Sequence, residues 1–158
     1  MKKIIIGSDK SGFELKEAIK AHLTEIGYEV EDCGTQDPEQ PQGYFIVAPK
    51  LAKKISDGTY EKGILICGTG MGMAIVANKF PGVYASVCQT AAAAKYARAI
   101  NNANVLTMGG WITAKDAGCA MVDLFLNTGF TDGLEDWRAK NLKNAYATIQ
   151  DMEKELYK

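Results

Sequence analysis

The segment Cys67-Gly-Thr-Gly-Met-Gly72 holds the residues best suited to chemistry in this chain. A thiol ends an apolar run, Gly63-Ile-Leu-Ile-Cys67, and three glycines follow it within five residues. Glycines let a backbone approach a ligand closely. A helix starting just beyond them aims free N–H groups at the loop, which favours an anion there. A thiol beside a helix N-terminus is drawn toward its reactive thiolate. The same residues also suit a tight strand-to-helix turn with no ligand, and a cysteine ending a buried strand is by itself more often inert. The Lys-Ser/Thr ending of a nucleotide-binding Walker A loop is missing. Gly68, Gly70 and Gly72 make G-x-G-x-G rather than G-x-G-x-x-G, and no acidic residue follows at the distance a dinucleotide site needs.

A second polar cluster lies in Gly7-Ser-Asp-Lys-Ser-Gly12, where Asp9 offers a carboxylate and Lys10 an ammonium. They could contact a sugar hydroxyl and a phosphate, or serve as a helix cap and a solvated lysine. The other cysteines, Cys33, Cys88 and Cys119, have weaker contexts and read as structural. None of the four forms a C-x-x-C pair, so neither a zinc site nor a redox motif is expected, and no metal is assigned.

The elements that must position these groups alternate regularly. Strands are predicted at Lys3–Gly7, Tyr28–Cys33, Gly63–Cys67, Val83–Cys88 and Val105–Met108. Helices are predicted at Phe13–Ile26, closed by Gly27, and at Phe45–Ile55, where Pro49 constrains the start. Further helices follow the glycine loop and span Thr90–Ile100, Ala114–Asn127 and Glu135–Tyr157. This alternation predicts an α/β fold: a three-layer α/β/α sandwich around a five-stranded parallel sheet, Rossmann-like, in one domain covering residues 1–158. Ligands of such sheets bind beyond the carboxyl ends of the strands. That rule selects Ser8–Gly12, the loop after Cys33, Cys67–Gly72, Cys88–Ala91 and the loop after Met108. The final helix carries Trp137, Leu142, Ala145, Ile149, Met152 and Leu156 on one face, which packs either on its own domain or on a partner.

Composition excludes several classes. A formal net charge of −1 gives no basic excess for nucleic acid or a membrane surface. No apolar run approaches the roughly 20 residues of a membrane span, and the N-terminus has no signal-peptide pattern. A cytoplasmic protein with reduced thiols is expected.

Taken together the chain resembles the B-type ribose-5-phosphate isomerases and the galactose-6-phosphate isomerase subunits. The resemblance rests on Ile4-Ile-Ile-Gly-Ser-Asp-Lys-Ser-Gly12, Gly63–Gly72, Ala77-Asn-Lys-Phe-Pro-Gly82 and Asn101-Asn-Ala-Asn-Val-Leu-Thr-Met-Gly109, in order along nearly the whole chain. It implies a cofactor-free and metal-free aldose–ketose isomerase of a small phosphorylated sugar, a homodimer or homotetramer with the active site between subunits. Cys67 would be the base that moves a proton between C1 and C2 through an enediolate, as a proton alpha to a carbonyl requires. Backbone amides of Gly68, Gly70 and Gly72 would stabilise the enediolate oxygen. Thr69 matches the threonine beside the base. Asp9, Tyr44 and Asn101 match positions that hold the sugar, and Lys10 offers a cation to its anionic end. Arg138 matches one of two arginines that reach the phosphate from the neighbouring subunit, which would bring the final helix, about 135–157, to the partner.

The chain departs from that pattern at three places. Lys10 replaces a frequent histidine, offering a point charge instead of a planar donor. Ile100 stands where a ring-opening histidine is usual, and the sole histidine, His22, reads as surface or boundary. Leu134 stands where the first phosphate arginine is expected. A tetrose 4-phosphate cannot close a furanose ring, because its O4 is esterified, so Ile100 is compatible with a four-carbon substrate. Pentose phosphates, a galactose- or allose-phosphate isomerase subunit, and a non-catalytic sugar-phosphate-binding homologue are the alternatives.

Overall fold

The runs Ile4–Ile6 and Ile64–Ile66 are wholly buried, and a strand shielded on both faces needs helices on both. The computed structural model, which describes residues 1–158, supplies them. In chain order the elements are β1 (Lys2–Ser8), α1 (Phe13–Glu25), β2 (Tyr28–Asp32), α2 (Tyr44–Ser56), β3 (Gly63–Cys67) and α3 (Met71–Ala77). Then come β4 (Ala85–Val87), α4 (Ala91–Asn101), β5 (Val105–Gly109), α5 (Lys115–Asn127) and α6 (Asp136–Leu156). All pairings are parallel and the strand order is β2-β1-β3-β5-β4.

Alternation along the strands sorts the core into two layers. Ile4, Ile6, Ile64, Ile66, Leu106 and Met108 face α1, α4 and α5, packing on Ile19, Ala97 and Phe125 among others. Ile5, Leu65, Cys67 and Val105 face α2 and α3, packing on Val47, Leu51 and Met73. The expected α/β/α sandwich is thus present. Connections leave β1 toward one edge and β3 toward the other. The crevice between the carboxyl ends of β1 and β3 is therefore the topological switch point, where such sheets bind ligands. Ser8 pairs with Ile66 there, and the Asp9 N–H donates to the Ile66 carbonyl at 3.3 Å.

Beyond shifts of a residue or so at element ends, three features differ from expectation. Strand β4 is shorter than Val83–Cys88, because the Tyr84 N–H donates to the Asn104 side chain (2.8 Å) instead of joining a ladder. Pro49 lies inside α2 and not at its start. The carbonyl it leaves without a helical donor belongs to Phe45, an exposed residue of the first turn. Helix α6 buries none of its residues, although its tip is tied down: Glu153 accepts from the Gly82 N–H (2.8 Å) and the Tyr84 hydroxyl (3.1 Å).

Candidate active site

Cys67 is the last residue of β3, paired with Gly109 of β5 in the middle of the sheet. Its side chain lies on the α2–α3 side and is 5% exposed. Among the apolar neighbours of its layer the sulfur has one polar partner: Sγ accepts the Gly70 N–H at 3.1 Å. That bond depends on Gly70 adopting φ +79°, the left-handed conformation that glycine enters without steric cost. A Cβ at Gly70 would also stand 2.9 Å from the Met108 backbone. The next residue begins α3, so the loop turns through Gly70 and directs that residue's N–H back toward the sulfur. Thr69 Oγ1 accepts the Met71 N–H at 3.3 Å, which leaves its own hydroxyl hydrogen available.

Asp9 stands at the neighbouring strand end, half-buried, with Oδ1 accepting the Gly12 N–H at 3.0 Å. Burial raises its carboxyl above the ordinary value, and backbone N–H donors only partly offset this. Lys10, next to it, is exposed. Tyr44, the first residue of α2, lays its ring against Gly72, where a Cβ would come within 2.8–3.1 Å of ring carbons. Cys67, Gly68, Thr69, Gly70 and Gly72 thus follow the carboxyl end of β3, Asp9 and Lys10 follow that of the adjacent β1, and Tyr44 reaches the glycine loop from α2.

Asn101 and Arg138 are not among them. The Asn104 carbonyl accepts the Gly63 N–H, so the residues leading into β5 lie at the amino end of β3. That is about 13 Å of strand away from Cys67. Thr131 is tied to the Ala99 carbonyl (2.9 Å), which starts α6 at that same end. Arg138 there sits over the Trp137 ring (5.1 Å) and beside Glu135 (3.5 Å). Asn101 instead lines a cavity of about 260 Å³ with Asn78, Ser86, Tyr146 and Ile149.

All four cysteines are free. Burial, aided by the charges of Asp32 and Glu31, pushes the Cys33 thiol up to about 12, and burial also raises Cys88 and Cys119. These three stay protonated. His22 Nε2 lies 2.6 Å from Asp123 Oδ1 on the α1–α5 surface, away from the crevice. No group of His, Cys, Asp and Glu side chains has a metal-binding arrangement. No helix is long and apolar enough to cross a membrane.

Sequence reasoning missed Trp111. Its N–H donates to the Gly68 carbonyl at 3.0 Å, and its ring lies on Gly68, with ring atoms 2.7–2.8 Å from the place of a Cβ. The signal was present: the loop after β5 is one of the strand ends that the ligand rule selects.

The whole chain is similar to known proteins. Over 156 residues the chain is 58% identical to a 4-deoxy-4-sulfo-D-erythrose isomerase from Clostridium sp. (strain MSTE9), covering 99% of this chain and 98% of the relative. It is 36% identical to a D-erythrulose-4-phosphate isomerase from Pectobacterium atrosepticum, over 84% of this chain and 88% of that one. The ribose-5-phosphate isomerase B of Clostridium thermocellum superposes with a TM-score of 0.87 at 36% identity, covering 98% and 99% of the two chains. The family described as Ribose/Galactose Isomerase matches residues 4–142, and the chain belongs to that family.

Proposed function

We propose that the chain is an aldose–ketose isomerase of a four-carbon sugar bearing an anion on C4, with Cys67 as the base. The observation that carries this reading is the position of the Cys67 sulfur. It ends the central strand, takes the Gly70 N–H, and shares the switch-point crevice with Asp9. The thiolate removes the C2 proton of the open-chain aldose, and the electrons pass into C1–O1 to give an enediolate. The proton returns to C1, while the O2 proton passes to O1 and leaves a ketone at C2. The amides of Gly68–Gly72 are the donors for the enediolate oxygen. Thr69 and Asp9 are the polar groups for O1 and O2, and Asp9's raised carboxyl suits it to hand a proton on.

Two features favour four carbons. Ile100 cannot move a proton, so the chain lacks the usual ring-opening group, and a tetrose substituted at C4 has no free O4 with which to close a furanose ring. The charge of the site also suits a sulfonate, the group named in the 58% relative. A sulfonate carries one negative charge, whereas a phosphate ester carries about −1.5 to −2 at neutral pH. Arg98 is spent inside the fold, donating to the carbonyls of Thr128 (3.2 Å) and Ala103 (2.7 Å) and to Asn102 Oδ1 (3.0 Å). Leu134 is uncharged. Arg138 is the only guanidinium left, with Lys10 as a point charge.

Arg138 and Asn101 reach such a substrate from a second copy of the chain, because within one chain they lie at the far end of the sheet. Exposed apolar residues on α6 and α3, Trp137, Ile149, Met152, Met71 and Ile75, are the surface for that assembly. The enzyme is accordingly a homodimer or a pair of dimers working in the cytoplasm.

The test is a panel of 4-deoxy-4-sulfo-D-erythrose, D-erythrose 4-phosphate and D-ribose 5-phosphate, run on wild type and Cys67→Ala. The sulfonate is expected to turn over fastest and ribose 5-phosphate slowest. Cys67→Ala is expected to bind substrate and to lose at least about 100-fold in turnover. Faster turnover of ribose 5-phosphate removes the four-carbon reading, and an active Cys67→Ala removes the base.

A further inference from the structure

The glycine loop lies between two aromatic rings. Tyr44 covers Gly72 at one end, and Trp111 covers Gly68 at the other. The Trp111 side is held rigidly. The Gly110 N–H donates to the Cys67 carbonyl (2.8 Å) and the Trp111 N–H to the Gly68 carbonyl (3.0 Å), so the backbone carrying the indole is stitched to the segment carrying the base. A Cβ on Gly110 would run into the Ser11 carbonyl, which places this turn against the β1–α1 loop that bears Asp9 and Lys10. The indole therefore sits on the residue that follows Cys67, next to the loop that bears Asp9 and Lys10. One face rests on Gly68, yet Trp111 remains 74% exposed. A large apolar face kept in water beside a candidate base has no use in the core of the domain.

Resting on the four-carbon reading above, we propose that Trp111 determines the length of substrate the site accepts. The indole forms the wall against which the chain between C1 and the anion must fit. In a C4-sulfonate the anion's central atom is two bonds nearer to C1 than in a 5-phosphate, about 2.5 Å in projection. Filling that depth with an aromatic ring admits the shorter sugar and crowds the longer one. The backbone that carries the ring is tied at Cys67 and Gly68, and Gly68 is open to the ring because it lacks a Cβ.

Trp111→Ala and Trp111→Phe test this with D-erythrose 4-phosphate against D-ribose 5-phosphate, so that the anion stays constant and only length changes. The readouts are kcat/KM for both sugars and dissociation constants for the inert acids 4-phospho-D-erythronate and 5-phospho-D-ribonate. Trp111→Ala is expected to shift both ratios toward the five-carbon ligand by at least about tenfold, chiefly through KM. Trp111→Phe should stay within a few-fold of wild type. If the Trp111→Ala binding ratio stays within twofold of wild type, Trp111 sets no length. If Trp111→Ala breaks up the oligomer and the binding ratio is unchanged, the ring is an interface residue and the proposal fails. Wild type that binds the acids but isomerises nothing in the panel overturns the isomerase reading instead, while the binding ratio still judges Trp111.

Discussion

Asp9 shows how a half-buried carboxyl at a strand end acts on stability. Its carboxyl is raised by burial, with only partial relief from the Gly12 N–H. A raised carboxyl is poorer at ionising in the folded state than in the unfolded one. The protein therefore loses stability as pH climbs from the unfolded carboxyl value, near 3.9, through the higher folded value. Asn at this position still accepts the Gly12 N–H and carries no charge to desolvate. Asp9→Asn is accordingly expected to melt at a higher temperature than wild type at pH 7, while turnover falls. The advantage should vanish near pH 3, where Asp9 is protonated in both states. Melting scans at the two pH values check it, and a variant less stable than wild type at pH 7 would show that the carboxylate contributes more than its burial costs.

At the scale of elements, the loop leading to Tyr44 is pinned by a buried lysine. Lys16 of α1 is fully buried, over the Phe13 ring (4.8 Å), with its ammonium on the Thr35 carbonyl and on Asp32 Oδ2 (2.8 Å). Thr35 in turn donates its N–H to the Ser8 carbonyl (2.8 Å) and holds Gln42 through its hydroxyl (3.0 Å from the Gln42 N). The chain from β2 to α2 is thereby fixed to the strand end that carries Asp9. Burial alone would raise Asp32, but hydrogen bonds from Lys16 and Lys20 hold its carboxyl below the ordinary value. Lys16→Met keeps the volume and leaves Asp32 with Lys20 and the Gly34 N–H as its donors, so urea unfolding at pH 7 should show a loss of about 1.5–3 kcal/mol. A depressed carboxyl stabilises the fold above its unfolded value and loses that contribution as pH falls through the folded one. The gap between Lys16→Met and wild type should therefore narrow below about pH 4.

At the scale of the whole molecule, the proposed function calls for a second copy of the chain. Cys67 and Arg138 lie at opposite ends of the sheet, and α6 buries nothing. With sites shared between copies in a two-fold assembly, Cys67→Ala and Arg138→Ala chains should each be inactive alone. Mixed and reassembled, they should regain about a quarter of wild-type activity, because half the dimers are mixed and each mixed dimer has one intact site. No recovery, with mixed dimers shown by mass spectrometry, would place each site within one chain.

The sequence by itself determined which elements form and which strand ends lie at the binding edge of the sheet. Apolar runs bounded by glycine mark the strands, three- and four-residue spacing marks the helices, and the order of a parallel sheet puts the loop after Cys67 at a binding edge. Those are local signals, since side-chain direction in a strand or helix depends only on neighbours along the chain. What the tertiary structure alone decided is which residues meet. It brought Trp111 onto Gly68 across separate strands, separated Asn101 and Arg138 from Cys67, placed Pro49 within α2, and left α6 bare. These outcomes depend on strand order and on packing between segments distant in sequence, and no local pattern encodes such distances.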